Sequence, residues 1–64
     1  MNKTLDAMIF ENQMRWEHGD RFFPQRQRIE LLVAFAEKVK TADEKEIKRF
    51  ADKIVSLFEL YDNE

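Results

Sequence analysis

Apolar residues recur at spacings of three and four in three separate stretches of this chain. In the first stretch, Leu5, Met8, Ile9 and Trp16 share one broad face that Asn12 interrupts. Phe10 and Met14 lie on an adjacent face. The pattern predicts a helix over about residues 4–18, apolar around an unusually wide arc. Asn2 or Thr4 is placed to cap its start. Gly19 follows its last turn, where a residue without a Cβ takes the left-handed conformation at no steric cost.

In the second stretch, Ile29, Leu32, Val33, Ala36 and Val39 form an apolar stripe that Leu31 and Phe35 widen. The β-branched residues are scattered rather than alternating, so a helix over about 24–40 is the better reading. Pro24 suits its first turn, where a missing N–H costs nothing. In the third stretch, Ile47, Phe50, Ile54, Leu57 and Tyr61 make an a/d seam, with Ala51 and Phe58 beside it. Thr41 with Glu44 and Asp43 with Glu46 each fit a capping box. The Asp43 register is favoured because Ala42 and Ile47 add a hydrophobic staple. This helix is expected over about 43–61.

The second and third helices are joined by a very short link, which sets them antiparallel and side by side. The longer link from Gly19 to Phe23 lets the first helix cross that hairpin. The expected architecture is all-α: a small three-helix bundle in one domain spanning residues 1–64. Heptad spacing in consecutive helices also permits a dimeric bundle of two copies, and the breadth of the first helix keeps self-association open. In size and hairpin spacing the chain resembles the general class of small dimeric helical bundles that regulate plasmids and phages. That likeness is architectural, and architecture does not fix function.

Composition narrows the chemistry. The chain has no cysteine, which excludes disulfides and thiolate zinc sites. Its 44% hydrophobic and 38% charged content marks a folded domain rather than a disordered tail. No apolar run approaches the ~18 residues that span a bilayer. The opening Met1-Asn2-Lys3-Thr4-Leu5-Asp6 has no cleavage-like site. A cytoplasmic chain with no membrane partner is therefore the expectation.

No residue set points to catalysis. His18, the single histidine, sits where a helix ends and is suited to capping the last carbonyls. Glu11, Glu17 and Asp20 near it do not make a metal site. Ser56 is the single serine and reads as helix surface. One glycine cannot build a phosphate loop. The carboxylates Asp43 and Glu46 are explained by capping, and a core this small leaves little room for the dry cleft that acid–base work needs. The expectation is a non-enzymatic chain with no catalytic residues, no cofactor and no metal.

One segment stands apart, from Arg15 through Arg28. Residues 21–28 carry three arginines and no acid, whereas residues 43–64 carry seven acids and four bases. Charge is thus segregated along a chain whose net charge is only -2. Arginine interleaved with aromatics is enriched at protein interfaces. It also serves stacking and phosphate contact in single-stranded nucleic acid binding. Trp16, Phe22 and Phe23 have an alternative role as plugs for the base of the bundle. Arg21, Arg26 and Arg28 have one as solvated charges, with Glu30 placed to pair with Arg26.

Two functions follow as expectations. The first is a protein–protein interaction module that occupies a partner surface as a small inhibitor, adaptor or assembly subunit. Its candidate contacts are Phe10, Met14, Trp16, Arg21, Phe22, Phe23, Arg26 and Arg28. The second is a small nucleic-acid-binding regulator that contacts phosphates through Arg21, Arg26 and Arg28. The lysines around the second turn are diluted by acids, which weakens that second reading.

Overall fold

The computed structural model describes residues 4–63 and contains three helices: α1 (Leu5–Glu17), α2 (Gln25–Val39) and α3 (Glu44–Asp62). Each expected helix is present, and each end shifts by one residue. Thr4 caps α1, its side chain accepting the Ala7 N–H at 3.1 Å. The other candidate cap, Asn2, lies outside the described residues. Asp43 caps α3, accepting the Glu46 N–H at 2.8 Å, in the register favoured by the staple. Pro24 is not the first helical residue. Its ψ of 145° makes it the N-cap of α2, and its carbonyl accepts the N–H groups of Gln27 and Arg28.

Gly19 ends α1 as expected. With φ of 98° it is left-handed. Its N–H reaches the Trp16 carbonyl at 3.1 Å and the Asp20 N–H reaches the Arg15 carbonyl at 2.9 Å. These two bonds are the Schellman pattern and satisfy carbonyls that the helix end would otherwise orphan.

Cross-helix contacts fix the topology. Arg28 near the start of α2 bonds Asp62 at the end of α3, while Lys38 near the end of α2 lies over the Phe50 ring in the first half of α3. α2 and α3 are therefore antiparallel. Asp6 approaches Arg49 and Lys53, and Asn12 meets Tyr61, so α1 runs parallel to α3. The three helices form an up-down-up bundle, and each contacts the other two.

The core holds Leu5 and Ile9 of α1, Phe23 of the linker, Leu31 of α2, and Phe50, Ile54, Leu57 and Tyr61 of α3. The α3 seam is buried as its spacing implies, with Ile47 half-buried at its N-terminal end. In α2 the centre of the apolar stripe is turned outward. Ile29, Leu32, Val33, Ala36 and Val39 are all exposed, while Leu31 is wholly buried and Ala34 and Phe35 pack against the core.

Two polar contacts accompany this rotation. Arg15 of α1 donates to Gln27, and Arg28 donates to Asp62 of α3. These contacts hold the two shoulders of α2's first turn, one against each neighbouring helix. Leu31 lies four residues beyond Gln27 and three beyond Arg28, on the face between those shoulders, so it points inward. No helix among the described residues is long and apolar enough to cross a membrane.

Candidate functional site

The candidate contacts do not form one surface. Phe10, Met14 and Trp16 converge, with Gln13, Glu17 and Leu60, on an open groove of about 330 Å³ between α1 and α3. Phe10 and Gln13 lie on the flank of α1 that carries Asp6, the residue facing Arg49 and Lys53, so this flank is turned to α3. Phe10 stays 60% exposed at the groove's edge. Leu60 completes the groove from α3. The sequence pattern did not single it out, because it lies off the a/d seam.

Arg21 links this groove to the linker. Its guanidinium carbon lies 3.8 Å from the centroid of the Trp16 ring, a stacked cation–π contact. The Trp16 Nε1 is buried without a hydrogen-bond partner. Phe22, the next residue along, is 71% exposed.

Hydrogen bonds tie the linker to the end of α1. Asp20 accepts the Phe22 N–H at 3.2 Å, and it accepts Nε and Nη2 of Arg15 at 3.1 and 2.9 Å. The Arg15 bond, then the Phe22 N–H, holds the Asp20 carboxyl below the usual carboxylate range. Arg15 thus binds the end of α1 to the linker and, through Gln27, to α2. Its importance was not legible because neither partner sits at a helical spacing from it. The result is an ordered platform from which Phe22 projects.

Phe23 belongs elsewhere. Its place among partner contacts is corrected, because it is buried at 6% exposure and unavailable to another molecule in the folded chain. Its ring packs edge-on against Phe58 at 5.6 Å and tilted against Tyr61 at 4.6 Å. It is the plug at the base of the hairpin.

The arginines also separate. Arg28 lies 4.7 Å over Phe23 and 5.3 Å over Phe58, donates to the Phe23 carbonyl, and grips both carboxylate oxygens of Asp62 at 3.1 and 2.6 Å. Hydrogen bonding to Asp62 raises the Arg28 pKa and lowers that of Asp62. Arg28 is therefore part of the bundle's own cement. Arg26 is exposed on the outer side of α2, 4.0 Å from Glu30. Arg21, Arg26 and Arg28 thus occupy three different settings rather than one phosphate track.

A second opening of about 230 Å³ lies between α1 and α2, lined by Met8, Glu11, Asn12, Arg15, Gln27 and Glu30. Asn12 is buried there. Its Nδ2 donates to the Met8 carbonyl at 2.8 Å, and its Oδ1 has no partner. The carboxylates and amides of this opening are not matched to a nucleophile.

Setting the groove, the linker platform and the arginines beside known proteins adds no name to them: no protein-family model matches this chain, and no curated protein or solved structure matches it.

Proposed function

We propose that this chain is a non-enzymatic protein–protein interaction module that seats a partner along its aromatic edge. That edge comprises Phe10 and Met14 of α1, Leu60 of α3, the Arg21–Trp16 stack and Phe22. The supporting observation is the exposure of Phe10 and Phe22, at 60% and 71%, on either side of a stacked arginine–tryptophan pair. Exposing two large rings on so small a domain forgoes burial worth roughly 1.5–3 kcal/mol each. Aromatic and arginine side chains are the groups that carry most binding energy at protein interfaces.

Photo-crosslinking residues installed at positions 10 and 22, with one at exposed Lys48 as control, test this reading. The expected result is one common partner captured from positions 10 and 22 and not from 48. Captures no stronger at 10 and 22 than at 48 would remove the edge as a docking surface. The nucleic-acid reading fares less well, since Arg28 is committed to Asp62 and Arg26 stands beside an acid. Its signature would be binding to DNA or RNA that weakens steeply with salt.

A further inference from the structure

We infer that the opening between α1 and α2 binds a primary alkylammonium ion, held by the side-chain carbonyl of Asn12 and the carboxylates of Glu11 and Glu30. The opening shares no lining residue with the aromatic edge, so the inference stands independently of the proposed function.

Asn12 carries the argument. It is nine-tenths buried, at 9% exposure, and it lines this opening of about 230 Å³. Its Nδ2 donates back along α1 to the Met8 carbonyl at 2.8 Å. A carboxamide is planar, so this bond sets Oδ1 on the opposite edge, away from the backbone that Nδ2 meets. Oδ1 has no hydrogen-bond partner among the described residues. A buried carbonyl oxygen without a donor costs stability, and that cost is recovered when a donor enters beside it.

Helix register supplies the charge. α1 and α2 run antiparallel, and the Arg15–Gln27 hydrogen bond sets those two residues level across the seam. Glu11 lies four residues before Arg15, and Glu30 lies three residues after Gln27. Both are therefore about one turn further along the same seam, on facing helices and level with Asn12. Both line the opening. Two carboxylates on facing helices repel one another, and a cation between them is attracted by both. The nearby arginines are placed otherwise. Arg15 closes one end of the opening, and its charge is met by Asp20 at 2.9 Å. Arg26 is 91% exposed and stands 4.0 Å from Glu30, at the limit of an ion pair.

The acceptor set selects the ligand. A primary ammonium has three N–H donors and no acceptor, which matches one amide carbonyl and two carboxylates. Met8 gives the opening an apolar wall for the methylenes of the ligand. The opening is larger than a bare metal ion, and no cluster of three acidic or histidine side chains is gathered to hold one among the described residues. A quaternary ammonium lacks the donors, and an anion would meet both carboxylates.

NMR titration of the amide groups of the full chain with n-butylammonium chloride tests this inference. Butyltrimethylammonium and sodium chlorides are the controls. The expected result is a saturable shift of the Asn12 side-chain amide, with a dissociation constant on the order of 1 mM. Asn12→Leu removes the acceptor and should weaken binding at least about tenfold. Glu11→Gln and Glu30→Gln should each weaken it severalfold. Circular dichroism on every variant keeps loss of binding distinct from loss of fold. A lysine amide blocked at its α-nitrogen is titrated in parallel. Tighter binding of butylammonium assigns the site to small free amines, and tighter binding of the blocked lysine assigns it to a lysine side chain of another protein. Absence of a saturable shift up to about 50 mM of either amine overturns the inference. So do equal shifts with butyltrimethylammonium or sodium, or binding indifferent to Asn12→Leu.

Discussion

The Tyr61 hydroxyl donates to the main-chain carbonyl of Asn12 at 2.7 Å, across 49 residues of sequence. It joins the last turn of α3 to the middle of α1 inside the core. Burial raises the Tyr61 pKa above the ordinary phenol value, so the proton needed for this bond is held. Tyr61→Phe keeps the ring against Phe23 and removes only the bond. It should cost about 1 kcal/mol in urea unfolding. Tyr61→Ala also empties the space the ring fills and should cost about 3–5 kcal/mol. Equal losses in the two variants would show that the hydroxyl contributes nothing.

Asn12 is the polar residue in an otherwise apolar face of α1, and the structure buries it at the edge of the opening between α1 and α2. One end of its amide is satisfied by the Met8 carbonyl, and Oδ1 is left without a partner. A buried unpaired acceptor costs about 1–3 kcal/mol. Asn12→Leu removes it and leaves a residue of strong helix propensity. The variant should unfold at higher urea concentration than wild type, with an unchanged slope. A less stable variant would mean that Oδ1 is satisfied, for instance by an ordered water.

Arg28 and Asp62 answer a problem at the end of α3. That helix has no basic residue in its last turn and places Asp62 there, against the preference of the helix dipole. Arg28 supplies the missing positive charge from α2. The pair is partly exposed, so Asp62→Asn alone should cost little. Arg28→Ala should cost more, because the arginine also covers Phe23 and Phe58. A double-mutant cycle separates the ion pair from the covering.

Acid should weaken the same region. Asp20 and Asp62 both have pKa values lowered by their arginine partners. A carboxylate with a lower pKa in the folded state adds stability above its unfolded value of about 3.9. That contribution is lost as pH falls through the folded value. Unfolding midpoints followed from pH 6 to about pH 2 should decline mainly below about pH 4. The Asp20→Asn, Asp62→Asn double variant should decline less steeply. Parallel curves would show that other acids carry the acid sensitivity.

Much of the fold was legible in local chemistry. Thr4, Gly19 and Asp43 act within a few residues of themselves, so sequence alone pointed to the three helix ends they cap. The α3 seam was legible because a single stripe faced a single core. The rotation of α2 was not. It carries apolar residues on nearly all sides, and periodicity cannot say which side turns inward when two stripes compete. The buried side is the one flanked by Gln27 and Arg28, whose partners lie 12 and 34 residues away. The candidate site was legible in part for the same reason. Phe10, Met14 and Trp16 follow from the width of α1's apolar arc, but Leu60, Arg15 and the burial of Phe23 depend on contacts between elements.

That rotation yields the sharpest test, because it separates two adjacent leucines. Leu31 is wholly buried at the centre of the bundle, and Leu32 is 46% exposed. Both are aliphatic, both lie in mid-helix, and both become alanine at the same small gain in helix propensity. Any difference between their alanine variants therefore reports environment. Leu31→Ala removes packed methyl groups and leaves a cavity that Phe50 and Leu57 only partly fill, at a cost of about 2–5 kcal/mol. In a domain of this size that consumes much of the stability available. Leu32→Ala should stay within about 0.5 kcal/mol of wild type. The reverse order, with Leu32 critical and Leu31 neutral, would mean that α2 is turned by about 100° from the orientation described.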